Sequence, residues 1–209
     1  MACAVRNLVY IFGADVVHDL FRLINSLFSF NVTNGTWETV YSNSGDRGEN
    51  NPQPIYFPFI FSHHESLYVM GNGESVDQLG VIYKFCLKTL TWSLVQQIGE
   101  KPIFVHAFNG TVYKNKLYIF DGNPDATNRF REVNIFDIST NKWSRRLTSS
   151  NCQDYPLKWM CESYAFSSSC AYMSCGLNVD ISAHFTDTWR IDLDTLEWVK
   201  IDDVCKHFI

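Results

Sequence analysis

The sequence has no long apolar run. Its densest, Pro54 to Phe61, is eight residues and includes two prolines, far short of the roughly 20 apolar residues that a membrane-crossing helix needs. The N-terminus, MACAVRNLVYIFGADVV, has one arginine and only a brief apolar stretch before Gly13 and Asp15, so it does not read as a secretory signal. No Lys/Arg-rich run occurs and the formal charge is −5, which removes the electrostatic footprint of a nucleic-acid binder. Charged residues are 19% of the chain, below the typical share of about 25%. No CxxC pair, G-x-S-x-G elbow, phosphate loop or H-E-x-x-H is present, so the familiar motif-borne metal and nucleophile chemistries have no foothold. These absences lead us to expect a soluble chain of the cytoplasm, with the nucleus also open to it. It would meet neither nucleic acid nor membrane, hold no cofactor and not be an enzyme. The seven cysteines (3, 86, 152, 161, 170, 175 and 205) are an odd, scattered set, expected to be reduced and buried. The sequons at Asn31, Asn34 and Asn109 are then expected to stay unmodified.

What the chain does have is aromatic surplus, 15% of residues, which suits pleated sheet surfaces. It also has a phrase that recurs. From Lys116 to Trp143 the text runs KLYIFDGN, a polar loop, then EVNIFDISTNKW, and near-copies occur four times. The equivalent tyrosines are Tyr10, Tyr68, Tyr118 and Tyr172, and the closing tryptophans Trp37, Trp92, Trp143 and Trp198. Successive tryptophans lie 55, 51 and 55 residues apart. A period near 50 built from short strands points to a β-propeller array, not to a helical solenoid.

One full repeat reads as four strands. In the second these are Ile55 to Phe61, Ser66 to Met70, Val81 to Leu87 and Trp92 to Gln97. Pro58 in the first of them forbids a central sheet position and predicts an inner edge. The second strands end at Gly13-Ala14, Gly71-Asn72, Asp121-Gly122 and Cys175-Gly176, where glycine permits positive φ or a close backbone approach. Asn34, Thr89, Thr140 and Thr195 lie three residues before each tryptophan, and are expected to fix a tight turn. Each tryptophan is expected to cover a blade interface.

These residues resemble the kelch repeat over essentially the whole chain. LYVMGN, LYIFDG and AYMSCG correspond to the family's strand and double glycine, and EVNIFDISTNKW and DTWRIDLDTLEW to its D-x-W/Y-x-Y/F-D strand and T-x-x-W turn. The double glycine is degenerate in every repeat, and the arginine-histidine usual before the first strand is missing. A WD-type propeller is disfavoured, since its period is about 40–45 and no Trp-Asp dipeptide occurs. The expectation is an all-β fold of four kelch-type blades, a partial or small propeller, with repeats at 1–43, 52–98, 102–148 and 156–203. We expect the first repeat to begin at its second strand, giving fifteen strands in all. The tail Asp203 to Ile209 either supplies the missing strand and closes a ring or leaves an open arc; its length favours the arc.

The resemblance implies binding on the loop face. The loops between second and third strands are read as Ala14 to Asn25, Asn72 to Gly80, Asn123 to Arg131 and Leu177 to Thr186. Their candidate partner-binding residues are Glu74, Asp77, Asp125, Arg129, Arg131, Asp180 and His184. Of these Arg129 and Arg131 suit a carboxylate or acidic peptide through paired hydrogen bonds. Some kelch relatives without a BTB domain are substrate receptors of cullin–RING ubiquitin ligases that read short C-terminal peptides. The resemblance therefore implies a protein or peptide partner, with elongin–cullin components as one class. A cytoskeletal or actin-binding scaffold is the alternative, and a propeller enzyme a more remote one. Ile201-x3-Cys205-x3-Ile209 has the spacing of an elongin-binding helix but reads better as a strand remnant. His63-His64-Glu65 reads as a hairpin turn, because adjacent strand residues face opposite ways. Asp180 and His184 match half of an iron-site pattern, but Gly176 fills its acidic place.

Overall fold

Short segments of alternating side chains, closed by turn residues, can bury a face only by pairing with one another. In the computed structural model they do so four times over. It describes residues 1–17, 20–42, 50–73, 79–102, 109–120, 130–152, 154–156, 163–178 and 183–201. The first blade is β1 (Ala2–Val5), β2 (Leu8–Val17), β3 (Leu20–Asn31) and β4 (Thr36–Tyr41). The second is β5 (Tyr56–His63), β6 (Ser66–Asn72), β7 (Val81–Cys86) and β8 (Thr91–Leu94). The third is β9 (Asn109–Tyr113), β10 (Lys116–Phe120), β11 (Glu132–Asp137) and β12 (Lys142–Leu147). After β13 (Ser149–Ser150), the fourth is β14 (Ser163–Phe166), β15 (Cys170–Asn178), β16 (Ala183–Asp192) and β17 (Glu197–Ile201). Strands pair antiparallel in chain order within each blade, and β13 adds to the outer edge of the fourth by pairing parallel with β17. Among the described residues there is no helix long and apolar enough to cross a membrane.

The first blade corrects our strand count. It is complete: Ala2–Val5 pairs with β2 through Cys3↔Tyr10 and Val5↔Leu8. The two-residue turn at Arg6, whose φ is +56°, packs that strand directly before the tyrosine strand. Four residues without a distinctive pattern are easily read as a lead-in to β2. Among the described residues there are sixteen blade strands, and no tail segment is needed to complete the first repeat. Pro58 lies where expected, on the edge strand β5, and the ladder shifts register between Tyr56 and Phe59 to pass it.

The strand-ending glycines do other work than expected. Among the described residues the left-handed glycines are Gly35, Gly80 and Gly99. Gly13 and Gly176 instead adjoin β-bulges, with register shifts at Gly13/Asp15 and Ser174/Gly176, where a missing side chain eases the kink. The turns before the tryptophans need positive φ two residues upstream, at Gly35, Leu90 (+55°), Asn141 (+54°) and Leu196 (+59°). Their main acceptor sits six residues before the tryptophan. Asp137 Oδ1 accepts from the amides of Ser139 (3.0 Å) and Thr140 (3.1 Å). Asp192 Oδ1 accepts from those of Asp194 and Thr195, both at 2.9 Å, and Asn31 Oδ1 from that of Thr33 at 2.9 Å. Of the residues three before the tryptophan, Asn34 accepts from the Thr36 amide at 3.1 Å, and Thr89 bonds Thr91 at 2.7 Å.

Three apolar cores lie between successive blades. In each, the closing tryptophan of the later blade faces the tyrosine strand of the earlier one. Trp92 packs with Tyr10, Phe12 and Leu27; Trp143 with Phe61, Tyr68 and Met70; Trp198 with Tyr118, Phe120 and Val133. Their exposures are 7%, 3% and 1%. Trp37 breaks the expectation: it is 63% exposed and belongs to none of the three cores. Among the described residues no apolar core joins the first blade to the fourth.

Candidate protein-interaction surfaces

Most of the loop residues singled out from the sequence, Glu74, Asp77, Asp125, Arg129 and Asp180, lie outside the described residues. Two of the four loops are shorter than we expected. Between β2 and β3 the ladder continues through Asp15↔Arg22, Val16↔Phe21 and Val17↔Leu20. Between β15 and β16 it continues through Leu177↔His184 and Asn178↔Ala183, so His184 is a strand residue and not a loop one. Val, Leu and Phe at these positions favour extended pairing, and a bulge lets the hairpin arms pass the glycine and go on. The other two loops end as read, with β7 opening at Val81 and β11 at Glu132, although β6 runs on through Asn72.

Arg131 is the described member of the set on the loop face, directly before β11. It is exposed, and its guanidinium carbon lies over the Tyr155 ring, 4.6 Å from the centroid. Tyr155 in turn donates its hydroxyl to the Thr148 carbonyl at 3.2 Å. Thr148 is a junction in its own right. Its amide donates to the Arg131 carbonyl (2.9 Å) and its hydroxyl to the Phe130 carbonyl (2.6 Å), which also accepts from the Trp198 indole at 3.0 Å. The interblade tryptophan thus fixes the backbone beside Arg131, while an aromatic platform holds the side chain.

The junction between the second and third blades is built on the same plan with other residues. Gln97 donates to the Gly80 carbonyl (3.0 Å) and accepts from the Trp143 indole (2.6 Å), and Lys101 donates to the Leu79 carbonyl at 3.3 Å. Asn72 Oδ1 accepts from the Gly80 amide at 3.0 Å and closes the loop neck. None of Gln97, Thr148 and Tyr155 was singled out from the sequence, because each follows a closing tryptophan, outside the recurring phrase.

On the opposite rim the third and fourth blades are tied by charge. Tyr113 donates to Asp194 Oδ2 at 2.7 Å and Lys114 to Oδ1 at 2.6 Å. Lys114 holds the Asp194 carboxyl below its ordinary range, and the same contact raises the lysine. Arg145 lies on the outer strand β12 and reaches Glu132 at 3.3 Å and Glu100 at 3.4 Å. His64 and Glu65 form the expected hairpin turn and His63 ends β5, the two imidazole rings 4.1 Å apart, with burial lowering the pKa of His63. Among the described residues no group of three or more His, Cys, Asp or Glu side chains is placed to share a metal. The four described cysteines differ from the expectation of burial: Cys152 is exposed, and Cys3, Cys86 and Cys170 are half-buried free thiols.

Comparison with known proteins gives these surfaces a context. The family model described as the KLHDC2/KLHL20/DRC7 Kelch-repeats domain matches residues 1–207. The chain is 22% identical over 214 aligned residues to Kelch domain-containing protein 3 of Rattus norvegicus, covering 95% of this chain and 52% of that protein. It is 23% identical over 171 residues to the Kelch domain-containing protein 10 homolog of Drosophila melanogaster, covering 72% of this chain and 28% of that one. It thus spans about half the length of the first of these relatives.

Proposed function

Because this chain belongs to the kelch-repeat family, whose propellers are generally protein-interaction modules, we propose that it binds a short peptide of a partner protein on its loop face. In this reading it serves as the substrate receptor of a cullin–RING ubiquitin ligase. The observation that carries the peptide-binding part is Arg131. An exposed guanidinium held over Tyr155 at 4.6 Å, on backbone pinned by Thr148 and Trp198, is a pre-oriented fork for a carboxylate. Pre-orientation lowers the ordering cost of binding, and a fork suits the two oxygens of a peptide C-terminus or acidic side chain.

The ligase part rests on the resemblance to kelch receptors without a BTB domain. The test is a display of peptides with free and amidated C-termini against the purified chain and its Arg131→Ala variant, with recovery of elongin and cullin subunits from cells in parallel. The reading expects preference for the free carboxylate, a loss of at least about tenfold in Arg131→Ala, as for a charged hydrogen bond, and co-recovery of ligase subunits. Equal binding of amidated peptides would remove the carboxylate reading. Recovery of actin filaments instead of ligase subunits would move the protein to the scaffold class.

A further inference from the structure

We infer that the loop face carries two cationic anchors, Lys101 and Arg131, and that together they select a peptide with an acidic side chain about three residues before its C-terminal carboxylate. This rests on the peptide-binding reading above, and adds to it a second contact and a sequence preference.

The two cations stand at matching places in neighbouring blades. Arg131 directly precedes β11, and Leu79 and Gly80 precede β7 in the same way. The Lys101 ammonium donates to the Leu79 carbonyl at 3.3 Å. Lys101 is therefore held beside the position in the second blade that Arg131 occupies in the third. The path of the chain brings it there. Ile98 forms a parallel bridge to Lys142, donating to the Asn141 carbonyl and accepting from the Trp143 amide, both at 2.9 Å. The segment leaving the second blade is thus fastened along β12 just before it reaches Lys101.

The charge of the pair is left uncompensated. Each cation has an acid beside it in sequence, Glu100 next to Lys101 and Glu132 next to Arg131. One residue takes both acids: Arg145 on β12 reaches Glu100 at 3.4 Å and Glu132 at 3.3 Å. Among the described residues neither Lys101 nor Arg131 forms an ion pair, and both are exposed. A positive pair on the loop face of a chain whose formal charge is −5 is a local reversal of sign, which draws an anionic segment to that face and orients it.

The two anchors suit different anions. The Arg131 guanidinium, held over Tyr155, is a planar fork that matches the two oxygens of a terminal carboxylate. The Lys101 ammonium is a point charge on a flexible stem, which tolerates the freer geometry of an Asp or Glu side chain. Packed sheets lie about 10 Å apart, and an extended chain covers that distance in about three residues at roughly 3.3 Å each. A peptide end bound at Arg131 and running toward the second blade therefore brings the side chain about three residues back to Lys101.

The test is a peptide library with free C-termini, randomised at that end and selected on the purified 209-residue chain and on its Lys101→Gln and Lys101→Glu variants. Affinities of matched Glu and Gln peptides follow. The wild type is expected to enrich Asp or Glu about three residues before the last. It should favour the Glu peptide by about fivefold, the most that an exposed ion pair contributes, and by less in high salt. Lys101→Gln should lose this preference yet still favour a free over an amidated C-terminus. Lys101→Glu should turn the preference toward Lys or Arg at the same place, which a merely structural lysine would not do. Both variants should melt with the wild type, since the side chain is exposed. Equal binding of Glu and Gln peptides by the wild type, an acid enriched at some other place, or an acidic preference that survives in Lys101→Glu would overturn the inference and leave the Arg131 reading standing. A wild type that binds no peptide, or that does not distinguish free from amidated ends, would overturn both.

Discussion

Replacing Trp198 with alanine should detach the fourth blade from the rest. The indole is 1% exposed and stands edge-on to Phe120 and Phe130, with ring centroids 6.1 and 5.7 Å away. Truncating a buried tryptophan costs about 3–5 kcal/mol through lost transfer energy and the cavity left behind. The bond from its Nε1 to the Phe130 carbonyl at 3.0 Å is lost as well. That carbonyl keeps the Thr148 hydroxyl at 2.6 Å, so it is not orphaned, and the lost bond adds no more than about 1 kcal/mol. A total near 4 kcal/mol is a large share of the 5–15 kcal/mol typical of a native domain. In a repeat array it should also be localised, because each blade holds mainly to its neighbours. Hydrogen exchange is the assay: amides of β15, β16 and β17 should lose protection by roughly three powers of ten, near 4 kcal/mol, while those of β6 and β7 change little. A loss of protection worth less than about 1 kcal/mol, or one spread evenly over all four blades, would refute this account of the junction.

Other outcomes follow from the same geometry. Gly110→Ala should destabilise by about 1–3 kcal/mol, the usual range for overpacking. A Cβ there would stand 2.7 Å from the Tyr118 carbonyl oxygen and 3.4 Å from the Phe59 ring; an unchanged melting temperature would contradict that contact. Asp192→Ala should lower stability near neutral pH and approach the wild type in acid. The Thr195 amide, first among its partners, holds the Asp192 carboxyl below its ordinary 3.8. A depressed carboxyl contributes stability present above the unfolded value and lost as pH falls through the folded one. Urea midpoints of the two proteins should therefore converge below about pH 4, and a constant gap would be the wrong result. Lys114→Ala removes an exposed ion pair with Asp194 and should shift the melting point little, and less still in high salt. A large shift would mean that the rim contact is more buried than it is here.

The repeat was legible in the sequence because its signals are local and fourfold: a tyrosine strand, a turn and a tryptophan at near-equal spacing. Pro58 even placed its own strand at the edge. What escaped has no such redundancy. β1 was missed because Ala2 to Val5 carries no motif and its partner strand follows after only two residues. The turn acceptors Asp137 and Asp192 were passed over for the threonines nearer the tryptophans, although an Asp side chain capping amides two and three residues on is the stronger device. Gln97, Thr148 and Tyr155 act through tertiary contacts made after the closing tryptophans, which no period marks. Trp37 looks in sequence like its three equivalents. Its exposure depends on what stands beside the blade, which no residue within the blade encodes.

Radical footprinting of the individual tryptophans tests the arrangement of blades most directly. In this 209-residue chain Trp37 should be oxidised rapidly, and Trp92, Trp143 and Trp198 slowly, in keeping with exposures of 63% against 7%, 3% and 1%. Trp37 protected as well as Trp198, or any of the other three as reactive as Trp37, would contradict it.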